Sequence, residues 1–367
     1  MKKILVLIIL ICSIQGNLYA SKISNKFYLL DFNTKGNENF SLNIYHKTHN
    51  SLLFLFSIQN QVEIIPQNNF FLLDNKLRLS NLNRQNKFSQ QNFEPEINKD
   101  TNKINWKLLG TFIGLVTTVN ISLYYIFKDA YWNESKTKFH SFNDWNNADL
   151  NIDKIGHFYA GMLLSKASYD ILKASNVPEK YSVLFSTLSS IFFQTQIEFH
   201  DAYYARWGWS WWDFSMNVLG AAFPHIQNNF KPLQLINLKW SYHPSPSYKK
   251  GWFDYWIKDY EGFTYWLSLD IHSLLPNRIK KYYPNWLNIA VGYGVEKVKL
   301  SKTQWNSANG RGLGEREFYL ALDYDLVKLF KPKSELLNKI LNLLNNFHFP
   351  APAIRLTPSR IYYGIYF

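Results

Sequence analysis

Six polar residues stand in stretches that are otherwise apolar: Asp153, His157, Glu198, Asp201, Asp213 and Asn217. Asp153 and His157 are four apart, Glu198 and Asp201 three apart, and Asp213 and Asn217 four apart. Helical spacing puts each pair on one face. A histidine beside carboxylates can take and return a proton near neutral pH. His157 is then the acid–base group, and Asp153 or Glu198 its orienting partner. Asp201 and Asp213 are further acid–base or cation-holding groups, with Asn217 completing the set. One histidine with several carboxylates also suits a hard divalent cation. The spacing follows no standard metal motif, so no metal ligand set and no cofactor is predicted, beyond a divalent cation at the carboxylate cluster.

Plainer roles compete with these. Asp153 and Asp213 are both placed to cap helices, and Glu198 can pair with Arg206 across a turn. His157 can hydrogen-bond a carboxylate simply to be buried, and Asn217 can set helix register. The chain has no Gly-rich phosphate loop, Gly-x-Ser-x-Gly elbow or His-Glu-x-x-His motif. A structural or assembly role in the cell envelope is therefore the first reading. A membrane-proximal enzyme acting on a lipid or cell-wall precursor is the alternative.

The elements that must position these groups are helical. Asp153 is expected to cap a helix running to about residue 174, and a second helix is expected over about 181–200. Ser210-Trp211-Trp212-Asp213 has capping-box spacing for a third. That helix carries Gly220-Ala221-Ala222 and then meets Pro224. Between the second and third, Trp207, Trp209, Trp211 and Trp212 are the expected lipid-contacting residues, with Arg206 and Ser210 in support. Upstream, residues 108–127 carry no formal charge, flanked by Trp106-Lys107 and by Tyr124, Tyr125 and Lys128. This is the length and flanking of a membrane helix. Thr111, Thr117, Thr118, Asn120 and Ser122 equally allow a buried bundle helix.

The last third alternates instead. Residues 235–242, 264–273, 287–293 and 317–326 have the period of two of antiparallel strands, and 334–347 that of an amphipathic helix. The chain ends Ile361-Tyr362-Tyr363-Gly364-Ile365-Tyr366-Phe367. Ile361, Tyr363, Ile365 and Phe367 are expected on one face, similar to the last strand of an outer-membrane barrel.

At the other end, Met1-Lys2-Lys3, an apolar run over 4–11 and Leu18-Tyr19-Ala20 before Ser21 form a cleaved secretory signal over 1–20. Cys12 sits inside the apolar run behind Ile11, which does not fit a lipoprotein anchor. Residues 21–105 are an Asn-rich polar region with room for short strands at 51–56 and 70–73 and a linker over 81–101. The whole chain has 367 residues, a formal charge of +13, 18% aromatics and 18% charged residues. Heavy aromatic loading with low charge excludes wholesale disorder. One cysteine excludes a disulfide framework and a cysteine zinc site. The positive charge suits nucleic acid or an anionic membrane surface, and the export signal removes nucleic acid. Membrane lipids or envelope components are the expected partners, and the oligomeric state is left open.

The pattern Asp153-Lys154-Ile155-Gly156-His157-Phe158-Tyr159-Ala160-Gly161, then Glu198, Asp201, Trp207-Gly208-Trp209-Ser210, Asp213, Asn217 and Gly220, resembles the YfiM-like family of predicted periplasmic lipoproteins. More remotely it resembles the VanZ-like membrane proteins. The resemblance covers roughly 100–230 and implies an exported, envelope-associated helical unit. The periplasmic face or outer membrane is the expected location, and the VanZ-like resemblance suggests the inner-membrane alternative. The expected fold class is α+β. A signal (1–20) and a polar region (21–105) precede a small bundle of about four helices (106–230). An antiparallel sheet or partial barrel (235–367) follows.

Overall fold

The computed structural model describes residues 27–35, 39–48, 51–59, 103–133, 135–145, 149–249, 251, 255–298 and 314–366. The signal segment, the apolar cluster at 70–73 and the linker at 81–101 lie outside them. The chain divides after Asn92 into two compact units. The first holds β1 (Phe27–Lys35), β2 (Asn39–Thr48) and β3 (Ser51–Gln59), an antiparallel meander with a register shift at Ile44/Tyr45. β3 contains the apolar run expected at 51–56.

Four long helices open the second unit: α1 (Trp106–Ala130), α2 (Ile152–Ala174), α3 (Glu179–Asp201) and α4 (Trp211–Asn229). Their ends follow local chemistry. Asn105 Oδ1 accepts from the Leu108 amide at 3.1 Å and starts α1. Pro178 precedes α3 in an extended conformation. Ser210 Oγ accepts from the Asp213 amide at 3.1 Å and starts α4, as its spacing predicts. Asp153 does not cap α2. Asn151, in the left-handed region at φ 66°, precedes the helix, and Asp153 lies in its first turn. A carboxylate there suits the helix dipole. α4 runs through Pro224 to Asn229 rather than ending near it.

α2 packs against both α3 and α4, and α3 against α4. The closest approach is at Gly220, where a Cβ would lie 2.1 Å from the Phe158 carbonyl oxygen. The bundle inverts the usual polarity. α3 buries Ser182, Ser186, Ser190, Gln194 and Glu198, four apart along one face, and turns Leu184, Leu188, Phe192 and Phe199 outward. α4 buries Asp213, Asn217 and Gly220 and exposes Trp211, Leu219 and Ile226. α1 buries only Leu109, Asn120 and Ala130, and Leu115 is 60% exposed. Among the described residues, α1 is the one helix long and apolar enough to cross a membrane, by length and composition.

The second half is a six-stranded antiparallel meander: β4 (Ile236–Tyr242), β5 (Phe263–Leu269), β6 (Leu287–Glu296), β7 (Glu315–Tyr324), β8 (Ala351–Thr357) and β9 (Ile361–Tyr366). α5 (Glu335–Leu344) lies between β7 and β8. The fold is α+β. Two strands stop earlier than their alternation suggests, because an aspartate caps a helical turn at each end. Asp270 accepts from the Ser273 amide, and Asp325 from the Lys328 amide, each at 3.1 Å. β9 departs from strict alternation. A register shift opposite Ala351/Ala353 brings Tyr363 and Tyr366 both onto the inner cluster, leaving Ile365 exposed. Phe367 lies outside the described residues.

The sheet curls strongly. Tyr366 of β9 packs edge-on against Trp266 of β5, and its hydroxyl lies 3.4 Å from Thr264 Oγ1. Residues 346–348 pair with the free edge of β4 at Trp240. The enclosed face is polar. Lys239 Nζ lies 2.7 Å from Asp323 Oδ2, Ser268 donates to the same oxygen at 2.6 Å, and His348 Nδ1 lies 3.0 Å from Asp323 Oδ1. The outer face carries exposed Leu267, Val291, Leu320 and Leu322. α2 covers one end of it: Ile152 packs with Phe263, Val295 and Val298, and Tyr293 donates to the Leu150 carbonyl.

Candidate functional site

The site is built around Lys154, whose side chain is 2% exposed. Burying an ammonium alone is costly, so it must be paired. Three carboxylates meet it: Asp153 at 2.8 Å, Asp213 at 2.8 Å, and Asp144 in a very short contact. Burial alone would lower the Lys154 pKa, but Asp153 and Asp213 outweigh it and the value rises. Asp144 comes from the loop before α2. That loop runs alongside the α3–α4 connection through Thr137 N to Tyr203 O (2.8 Å), His140 N to Ala202 O (3.0 Å) and Phe142 N to Trp209 O (2.9 Å). Gly208 allows the approach. Its φ is +137°, and a Cβ there would lie 2.7 Å from Phe142 Cβ. Ser210, the α4 cap, donates to Asp144 Oδ1 at 2.7 Å and ties the loop to the helix.

One turn along α2, His157 meets the other two helices. Its Nδ1 lies 3.0 Å from Asn217 Oδ1 and 3.5 Å from Glu198 Oε1, and its Nε2 lies 3.8 Å from Asp213 Oδ1. The ring is 22% exposed, while Glu198 is almost completely buried. With its amide nitrogen toward Asn217, Gln194 donates to Asn217 Oδ1 at 2.9 Å and to the His157 carbonyl at 3.1 Å. Burial would lower the His157 pKa, but Asp213, Glu198 and Asp153 outweigh it and push it up to about 9. Burial pushes Glu198 up to about 8 and Asp201 up to about 7, and also raises Asp213. At neutral pH His157 therefore holds its proton. A protonated imidazole donates from Nδ1 to Asn217 and faces the Glu198 and Asp213 carboxylates, which suits bridging three helices better than abstracting a proton.

Of the sequence-predicted residues, Asp153, His157, Glu198, Asp213 and Asn217 converge. Asp201 sits behind them, where Trp132 Nε1 donates to its Oδ1 at 2.6 Å. Glu198 faces His157 rather than Arg206, which instead lies over the Trp207 ring at 5.1 Å. Trp211 and Trp212 are exposed, whereas Trp207 and Trp209 are half-buried, and Trp207 Nε1 donates to the Tyr131 carbonyl at 3.0 Å. Lys154 and Asp144 are central and were not anticipated as site residues. A lysine next to an aspartate reads as surface charge. An aspartate in a loop has no periodicity to mark it.

Among the described residues, two groups can hold a metal ion by geometry: His157 with Glu198 and Asp213, and Asp144 with Asp153 and Asp213. Lys154 already occupies the centre of the second.

Residues 141–229 match the model of a family described as predicted periplasmic lipoprotein (DUF2279). The matched segment contains α2, α3, α4 and every member of the polar cluster. No curated protein matches the chain, and no solved structure does. The match supports an exported cell-envelope protein, with the polar cluster inside the part that is similar to that family.

Proposed function

We propose that this protein is a membrane-associated component of the cell envelope with a structural or assembly role. The observation that carries the reading is the inverted polarity of the second unit. Serine, glutamine and carboxylate rows face inward, while leucines and aromatics of α1, α3, α4 and the sheet face outward. Monomers in water rarely expose apolar patches of that extent. Small polar residues at helix contacts and apolar residues outside are how helices pack beside lipid. α1 is the spanning or anchoring segment, with Trp106, Lys107 and Lys128 at its ends. Ion pairs inside a curled sheet with an apolar exterior favour the periplasmic face or the outer membrane over the inner membrane. The resemblance to the YfiM-like family agrees with an exported, envelope-associated placement, whereas the VanZ-like resemblance points to the inner-membrane alternative. In this account the Lys154 and His157 clusters hold loop, α2, α3 and α4 together.

Fractionation of the native host tests the reading. The protein is expected to stay in the membrane pellet through high salt and alkaline carbonate and to leave with detergent. Full recovery in the salt wash would sink it. One observation favours the enzymatic alternative: His157 is part-exposed and flanked by two carboxylates. That alternative requires His157→Gln to keep its folded yield while abolishing the phenotype of a deletion strain.

A further inference from the structure

We infer that His157, Glu198 and Asp213 form a binding site for one divalent transition-metal ion. A ring nitrogen of His157 and one oxygen from each carboxylate lie within 4.8 Å of one another. Ligands about 2.1 Å from a tetrahedral ion are separated by about 3.4 Å. With Nε2 as the ligand atom, its 3.8 Å separation from Asp213 Oδ1 needs little adjustment to reach that, while Glu198 Oε1, 3.5 Å from Nδ1, must swing toward the ion. The three residues come from α2, α3 and α4, so the site exists only in the folded bundle.

Two further observations point to a cation. Glu198 is 1% exposed, and its Oε1 accepts no hydrogen bond among the described residues although it faces His157. A buried carboxylate oxygen of that kind needs a partner. The charge around it is also unbalanced. Asp144, Asp153, Glu198, Asp201 and Asp213 surround one lysine and one histidine. Lys154 pairs with Asp144, Asp153 and Asp213, and on Asp213 it meets Oδ1, the oxygen that also faces His157 Nε2, so the ion would share that carboxylate with the ammonium. Among the described residues His157 is the first cation that acts on Glu198, and Lys154 acts on it more weakly. Asn217 Oδ1, at 3.0 Å from Nδ1, supplies the outer contact that fixes the ring tautomer and leaves Nε2 toward Asp213 as the ligand atom. Imidazole with carboxylates suits zinc, manganese or iron(II) better than calcium or magnesium. Binding requires His157 to be neutral, so uptake of the ion releases its proton.

The membrane reading does not depend on this site, and the assays are separate. Detergent-solubilised full-length protein without an affinity tag is stripped with chelator and titrated with Co²⁺ or Zn²⁺ alone. One Co²⁺ per chain is expected, with a visible absorption band that Zn²⁺ displaces. His157→Gln and Glu198→Gln should each weaken Zn²⁺ binding at least ~10-fold and remove the band. Asp270→Asn, on the sheet, should change neither. Because a buried variant can fail to fold, a third measurement uses the wild-type chain: Mn²⁺ bound at one equivalent should show the nitrogen coupling of one histidine ligand. Absence of stoichiometric binding, binding unchanged in folded variants, or bound Mn²⁺ without that coupling would each overturn the inference.

Discussion

Replacing Lys154 by Met tests whether the polar cluster is what holds the bundle. Methionine keeps the length of the stem and removes the ammonium. Three carboxylates are then stranded together, with side-chain exposures of 9% for Asp144, 11% for Asp153 and 8% for Asp213. Removing one partner of a buried ion pair costs about 3–5 kcal/mol, because the remaining charge is neither solvated nor compensated. At about 2–4 °C per kcal/mol for a unit of this size, the thermal midpoint should fall by about 6–20 °C. Tryptophan fluorescence during urea unfolding in detergent reads this directly, since Trp132 donates to Asp201 and the Trp207 and Trp209 carbonyls hold the loop that carries Asp144. Adding Asp213→Asn should recover at least ~1 kcal/mol, because it removes one of the stranded charges. A loss below ~1 kcal/mol for Lys154→Met is what an exposed pair would give. That result would refute the claim that this lysine organises the helices.

Other perturbations probe other contacts. Gly220→Val places atoms where the Phe158 carbonyl already stands 2.1 Å from a Cβ, so folded yield should fall and unfolding should ease by at least ~2 kcal/mol in the same assay. Inside the sheet, burial alone would raise the Asp323 pKa, but the His348 hydrogen bond and the Lys239 charge outweigh it and hold it below the usual carboxylate value. A carboxylate with a depressed folded pKa stabilises fully above about pH 3.9, and that contribution fades as pH falls through the folded value. Urea midpoints measured from pH 6 downward should therefore drop steeply below about pH 4, and less steeply for Asp323→Asn. Leu320→Lys on the outer sheet face should cost about 2–4 kcal/mol in a bilayer if the residue lies near its midplane. It should cost under ~0.5 kcal/mol if that face is in water. Reversible unfolding from lipid vesicles separates the two.

α3 and α4 were legible because each joins an apolar run to a start signal, Pro178 for α3 and Ser210 for α4, whereas α2 has no side-chain cap at Asp153. Their meeting was legible in part: helical spacing set Asp153 with His157 and Asp213 with Asn217, and packing brought those faces together. Three things were not. Lys154 gains its role from Asp144, which a loop delivers through main-chain pairing that leaves no periodic trace. Asp270 and Asp325 end their strands by capping, a local choice that alternation alone does not reveal. β8 was not picked out because Pro352 breaks its pattern, and its register shift then turns Tyr363 and Tyr366 inward together. For α1, composition left lipid and protein surroundings equally open. The packing decides how little of it the other described residues of the second unit cover, since only Leu109, Asn120 and Ala130 are buried.

The central claim is that the apolar exterior of the second unit faces lipid. Its most direct test is the environment of single nitroxide labels at Leu115, Leu188 and Leu320 in vesicle-reconstituted protein. Collisions with oxygen, which concentrates in hydrocarbon, should dominate at all three positions, and a water-soluble nickel complex should barely reach them. Ready access of the nickel complex to all three would contradict the account.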